Sequence, residues 1–160
     1  MKGIKMTNLS TETSPLVYAR VAGLLYLLMI PLGIFGILYV PSTLIVPGDM
    51  AVTVSNIMVN ELIFRLSIVS ALSVQIVQIF LVLVLYKLLK PVNKKYAVLM
   101  VVLIMVTVPI ALLNELNQFA SLLLLSGANY LTVFTVDHLQ TLMSLFFDLH
   151  EHGIIIAQIF

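Results

Sequence analysis

The residues best suited to chemistry lie in two short stretches of an otherwise apolar chain. Asn114, Glu115 and Gln118 interrupt a long hydrophobic run, and Asp148 and His152 lie one helical turn apart near the C-terminus. A carboxylate beside amides can bind a cation or exchange a proton. A carboxylate and an imidazole at this spacing can share a proton or a metal ion. These five residues, toward the outer leaflet, are the candidate pocket that the sequence predicts.

The polar residues of the long run share one helical face. At about 100° per residue this face contains Thr107, Asn114, Gln118 and Ser121, with Asn117 beside it and Glu115 at its edge. Unsatisfied polar groups in lipid cost several kcal/mol, so the stripe must face protein or water. Two interpretations of Glu115 stay open. It is either a protonated or snorkelling carboxyl near the outer interface, or a proton-linked or cation-binding carboxylate.

The last segment is also two-sided. Its polar side consists of Asp137, Thr141, Ser144, Asp148, Glu151 and His152, opposite a hydrophobic side. This pattern predicts an amphipathic helix on the outer surface, for which a solvated face is the simpler explanation. His150 lies about 200° from Asp148, so it cannot bind one metal ion together with His152 from a regular helix. We expect His150 to be hydrogen-bonded inside a bundle, and Gly153 to allow close helix approach or a bend. The metal candidates Asp148 and His152 are weak.

The composition makes lipid the solvent of this chain. Hydrophobic residues make up 61% of it and charged residues 9%, against about 25% charged in soluble domains. The net charge of +1 provides no basic field for nucleic acid, and the absence of cysteine excludes disulfides. We predict an all-α, polytopic integral membrane bundle with no cofactor. Its predicted partners are the lipid bilayer and, within it, a second copy or another membrane protein.

Three hydrophobic runs reach the length of about 20 residues that a spanning helix needs; they are residues 21–40, 62–89 and 96–125. After the first run Pro41 should end the helix, and Asp49 should cap a short one. Pro109 predicts a kink in the third run. We expect an outer amphipathic helix over residues 133–149 and the start of a fourth span near His150.

The second run has a small-residue face and a charged start. Ser67, Ser70, Ala71 and Gln78 share that face, with Gln75 beside it, which favours close packing and hydrogen bonds between helices. Glu61 precedes Arg65 by four residues, the favourable order for a local ion pair. We interpret Arg65 as an anchor at the outer interface.

Basic residues predict the orientation. They precede the first run and follow the second, as Lys2, Lys5, Arg20, Lys87, Lys90, Lys94 and Lys95. The positive-inside rule puts both regions in the cytoplasm and the loops 41–60 and 126–140 outside. Residues 1–15 are then a flexible cytoplasmic tail, and residues 16–160 a single membrane-embedded helical domain in the cell membrane. Residues 153–160 cover only about 12 Å of helix, so we expect a C-terminally truncated chain, with a re-entrant piece as the alternative.

The chain resembles a known family in five stretches, which are, in order, "ARVAGLLYLLMIPLGIFG", "LIVPGDMAVTVSNI", "ELIFRLSI", "LLKPV" and "LFFDLHEHG". Their order and spacing resemble the prokaryotic membrane proteins catalogued as domain of unknown function four-three-eight-six. The resemblance covers residues 19–160 and implies a longer protein with further helices after Phe160. It supplies no activity, but it draws attention to Asp49, Arg65, Asp148, His150 and Gly153.

Three functions compete. The first is a non-enzymatic transporter, sensor or accessory subunit with an outward-facing polar pocket. The second is an intramembrane metal-dependent hydrolase that uses Glu115, Asp148, His150 and His152, although the H-E-x-x-H pattern is missing. Haem ligation by His138, His150 or His152 ranks last. The sequence favours the non-enzymatic role, with the hydrolase as the alternative, and it names no substrate.

Overall fold

The structure is a computed structural model that describes residues 14–159, and over that range it contains helices and no strands. The predicted tail lies outside the described residues except for its end, where Pro15 already begins a helix with Ser14 as its cap. The main helices are α1 (Pro15–Gly33), α2 (Val40–Leu44), α3 (Met50–Val59), α4 (Glu61–Leu89), α5 (Lys94–Leu125) and α6 (Val136–Ala157).

Three helical stretches are long and apolar enough to cross a membrane: Pro15–Leu44, Glu61–Leu89 and Lys94–Leu125. Their outer surfaces carry many exposed leucine, isoleucine and valine side chains, as expected where lipid replaces water. The all-α, multi-pass architecture predicted from composition is confirmed, and the second and third spans begin within two residues of the predicted positions.

The first span is longer than predicted, because Pro41 does not end it. A π-helical segment, Ile34–Tyr39, joins α1 to α2, and the Val40 N–H donates to the Phe35 oxygen five residues back. This change of hydrogen-bond register places Pro41 in the first turn of α2, where its missing N–H is tolerated. The helix therefore continues to Leu44.

The loop after α2 is fastened to α3. Asp49 caps α3 as predicted, its Oδ1 accepting from the Val52 N–H at 3.0 Å. The Thr53 hydroxyl, fully buried, accepts from the Val46 N–H at 2.9 Å and lies 2.9 Å from the Asp49 oxygen. The loop is thus held to the start of α3 by the side chains of Asp49 and Thr53, which bond backbone groups.

The small-residue face of α4 packs against the π-helical segment. A Cβ atom added at Gly36 would lie 2.7 Å from the Ser67 oxygen and 3.0 Å from the Ala71 nitrogen. The Ser70 hydroxyl donates to the Leu32 oxygen at 2.9 Å, across the two helices. Small residues therefore bring the first two spans into backbone contact, as their shared face predicts.

The predicted boundary near His150 is absent, because the last segment is one continuous helix, α6. It packs along α5 in the opposite direction, and the Phe147 ring meets the Phe64 ring of α4 edge-on at 6.4 Å. Gly153 produces no bend, since it serves close contact with α5. The hydrophobic core lies around the Phe64 ring, with Phe147 packed against it. It consists of Val40, Leu44, Ile57, Phe64, Ile68, Leu122 and Met143.

Two further predictions concern local features of the spans. The Glu61–Arg65 pair is present, with 2.6 Å between Arg65 Nη2 and Glu61 Oε1, and both side chains are exposed. An exposed pair of this kind adds little stability, so the role of Arg65 as an interface anchor stays a prediction. The second prediction is a kink at Pro109. This residue lies inside α5, which runs as one helix from Lys94 to Leu125, and the kink itself stays a prediction.

Candidate functional site

A cavity of about 750 Å³ lies between α4, α5 and α6 and is closed on another side by the loop after α2. The polar stripe of α5 supplies one wall, through Thr107, Asn114, Glu115 and Gln118. Asp148 and Glu151 of α6 line the cavity and are also exposed, so they lie at its mouth. The predicted stripe therefore faces a hollow between helices and not lipid.

His150 ties α6 to α5. Gln118 Nε2 lies 2.8 Å from His150 Nε2, and His150 Nδ1 lies 3.2 Å from the Asn114 backbone oxygen. An amide nitrogen only donates, so this orientation of the Gln118 amide has His150 Nε2 as the acceptor and the ring proton on Nδ1, which lies near the Asn114 backbone oxygen and 3.1 Å from Asn114 Nδ2. Both ring nitrogens are therefore engaged, which fits the bundle histidine that the sequence predicts.

Asn114 forms the second connection between these helices. Its Nδ2 donates to the His150 backbone oxygen at 2.9 Å, and its Oδ1 accepts from Asn117 Nδ2 at 3.1 Å. A Cβ atom at Gly153 would overlap the Asn114 side chain, with Nδ2 3.0 Å away and Cγ and Oδ1 closer. Only glycine leaves room for an amide against the α6 backbone here, which explains why Gly153 occurs at this position.

Glu115 is the least satisfied side chain of the site. It is only 8% exposed, and its Oε2 atom is buried without a hydrogen-bond partner. It lies about 31 Å along α5 from Lys94 and about 15 Å from Leu125. A charged side chain at mid-bilayer costs about 2.5–3.5 kcal/mol on insertion scales, so a carboxyl group without a partner here needs an explanation.

Two more buried oxygens without partners border the same hollow. Together with Glu115 Oε2 they are the buried unpartnered side-chain atoms found in residues 14–159, and they belong to Gln75 and Gln118. All three residues line the cavity, and all three atoms are of the acceptor type. Buried polar atoms are normally paired, so their concentration at one cavity indicates space for a group that donates hydrogen bonds.

The structure brings together four of the five residues of the predicted pocket, and His150 lies with them. Asn114, Glu115, Gln118, Asp148 and His150 line the cavity, whereas His152 is exposed and does not. His152 Nδ1 lies 2.7 Å from the backbone oxygen of Asp148, so the imidazole contacts the helix backbone of α6.

Sequence reasoning assigned Gln75 and Gln78 of α4 mainly to helix packing, yet both line the cavity. Glu151 was assigned to a solvated face, and it reaches the mouth. Residues 45–48 are predicted to lie in an outer loop, and the sequence does not place them at the site. The one available signal was the pair of glutamines in the middle of a span, because amides at that depth need partners.

A metal centre finds little support in this arrangement. Residues 14–159 contain no group of three or more His, Asp or Glu side chains placed to hold a metal ion. A catalytic zinc site usually takes three protein ligands, and the ring nitrogens of His150 are both engaged by Asn114 and Gln118. The hydrolase interpretation thus gains no observation in its favour.

Comparison with known proteins gives one result. No curated protein and no solved structure matches the chain. A family model matches residues 21–160, nearly the whole range over which the five sequence stretches indicated a resemblance. The chain therefore belongs to the family described as Domain of unknown function (DUF4386).

Proposed function

We propose that this protein is a non-enzymatic, multi-pass protein of the cell membrane that binds a small polar molecule in the cavity between α4, α5 and α6. Binding would serve transport or sensing. The N-terminus is on the cytoplasmic side, and the cavity opens toward the outer face.

One observation carries the proposal: a buried carboxyl group without a partner, Glu115, lines a hollow of about 750 Å³ among membrane-spanning helices. Ionisable groups inside the membrane are rare and usually mark a ligand, ion or proton pathway. The volume falls within the range of about 300–1,000 Å³ that is typical of small-molecule sites. The surrounding wall is mixed, with apolar residues such as Val74 and Ile104 beside the amides.

The proposal requires that water and small solutes reach the cavity. The chain contains no cysteine, so single cysteines can be introduced without removing any. Ala111 lines the cavity, whereas Leu113, two residues away on α5, is 66% exposed on the outer surface of the span. Only the thiolate reacts readily with maleimides, and a thiol surrounded by lipid does not ionise.

The test compares Ala111→Cys with Leu113→Cys in the protein reconstituted in lipid nanodiscs, with N-ethylmaleimide as the probe. We expect the cysteine at 111 to be modified and the one at 113 to stay unmodified under the same conditions. An unreactive cysteine at 111 in folded protein would show that the cavity is closed to water, and it would refute solute binding there. Equal reactivity at both positions would also contradict the proposal, because the cavity would then not differ from the lipid-facing surface.

A further inference from the structure

We propose that the ligand of the cavity is a small organic ammonium cation that carries N–H donors. This inference rests on the proposed function. It narrows the ligand from any small polar molecule to a positively charged one that donates hydrogen bonds.

The charges around the cavity have one sign. Three carboxyl groups line it, from Glu115, Asp148 and Glu151, and within residues 14–159 no lysine or arginine does. The nearest basic side chain is His150, and its two ring nitrogens already contact Gln118 and Asn114. Arg65 is paired with Glu61 at the surface, and the lysines at positions 87, 90, 94 and 95 lie at the other end of α4 and α5. A cation therefore meets attraction at the mouth and again at Glu115.

The unpartnered oxygen atoms indicate that the ligand carries hydrogen-bond donors as well as a positive charge. Glu115 and Gln118 are each more than nine-tenths buried, and each has an oxygen without a partner. An amide can rotate to exchange its oxygen and nitrogen, but a carboxyl group has oxygen on both sides, so Glu115 carries this step. A primary ammonium group offers three N–H donors, and the cavity wall has three unpartnered buried oxygens, on Gln75, Glu115 and Gln118.

An inorganic ion fits less well. Calcium takes six to eight oxygen ligands at about 2.3–2.6 Å, and no three acidic or histidine side chains in residues 14–159 cluster closely enough to hold a metal ion. The cavity is larger than a bare ion needs, and Val74, Ile104, Phe147 and Ile154 give it apolar walls. Apolar walls around a charged end suit a hydrocarbon chain attached to the ammonium group.

The experiment uses the Ala111→Cys protein in nanodiscs and measures the rate of N-ethylmaleimide modification. The probes are n-butylammonium, tetramethylammonium and n-butanol. The second has the charge without N–H donors, and the third has the size and a donor without the charge. We expect n-butylammonium at saturation to slow modification by about tenfold, equivalent to about 1.4 kcal/mol, and the other two to have little effect.

The Glu115→Gln variant in the same background keeps the shape and removes the charge. Because a carboxylate one turn away changes the thiolate fraction of the cysteine, the rate of this variant without any probe is the reference for its own protection, and an unchanged circular-dichroism melt shows that the fold is intact. Protection by n-butylammonium should be lost. Asp148→Asn, at the mouth, should weaken protection less than Glu115→Gln does.

The outcomes separate the two proposals. Equal protection by n-butanol would overturn the cation but leave small-molecule binding standing, and equal protection by tetramethylammonium would overturn the requirement for N–H donors. If the cysteine reacts and n-butylammonium does not slow the reaction, the ligand class proposed here is wrong, although the cavity is open. The function itself is refuted by an unreactive cysteine at 111 or by equal reactivity at 111 and 113.

Discussion

Asn114 shows how one side chain of the polar stripe serves structure while its neighbour is left for function. The Asn114 amide is used on both sides, by the His150 backbone oxygen and by Asn117. Glu115, the next residue, faces the same cavity with a buried oxygen that has no partner. The sequence grouped both as candidate pocket residues, because helical spacing reveals a shared face but not which groups find partners on another helix.

The contact between Asn114 and Gly153 leads to a stability prediction. Gly153→Ala should destabilise the protein by about 1–3 kcal/mol, because the added methyl group overlaps the Asn114 side chain, which must then either lose its hydrogen bonds to His150 and Asn117 or push α6 away from α5. Gly23→Ala is the matched control, since Gly23 also lies inside a helix and a Cβ there meets nothing within 4 Å. Helix propensity alone would make both changes favourable by about 1 kcal/mol.

Unfolding in mixed detergent, followed by circular dichroism, measures both variants. The expected order is Gly153→Ala least stable, with Gly23→Ala equal to or above the parent. If Gly153→Ala is as stable as Gly23→Ala, the close approach of Asn114 to the α6 backbone does not hold the two helices together.

The helices themselves follow largely from hydrophobic length and from local signals. The Asp49 cap, the Glu61–Arg65 pair and the ends of α4 and α5 depend on neighbouring residues, and all were predictable. Pro41 was misjudged because proline ends a regular α-helix, whereas a π-helical segment before it changes which donors are needed. The contact of α6 with α5 through Asn114 joins residues that are distant in sequence, so no pattern within α6 itself could reveal it.

The backbone contact between the π-helical segment and α4 yields the next prediction. Gly36→Ala should lower stability by about 1–3 kcal/mol, because the new Cβ meets the Ser67 oxygen and Ala71 nitrogen, which are backbone atoms and cannot rotate away. Gly33→Ala, less than one turn earlier, meets nothing within 4 Å and should cause no loss. Thermal unfolding of the two variants in the same detergent decides it, and a Gly33→Ala protein as unstable as Gly36→Ala would contradict the packing argument.

For the molecule as a whole, the cavity depends on parts that are distant in sequence. Gln75 comes from α4, Glu115 from α5 and Asp148 from α6, and the loop at residues 45–48 closes one side. The sequence predicted the α5 and α6 contributions, because polar residues are conspicuous in an apolar run. It could not predict that α4 and the loop complete the enclosure, since that depends on how the helices pack. Whether the cavity binds a ligand stays a proposal.

The direction in which the cavity opens depends on how the protein crosses the membrane, which the basic residues predict. Val92 lies in the loop before α5 and Val133 in the loop after it, and the two are 83% and 80% exposed. They are matched residues at opposite ends of one span, so Val92→Cys and Val133→Cys report opposite faces. Because the Lys-rich loop should be cytoplasmic, a membrane-impermeant maleimide added to intact cells should modify the cysteine at 133 and leave the one at 92 unmodified until the cells are permeabilised.

A further exposed valine, Val59 at the end of α3, provides a second position on the outer side. It is 80% exposed, and a cysteine there should behave like the one at 133. Modification of the cysteine at 92 in intact cells, with the one at 133 protected, would reverse the orientation. The mouth of the cavity, at Asp148 and Glu151, would then face the cytoplasm. Any cationic ligand would come from inside the cell.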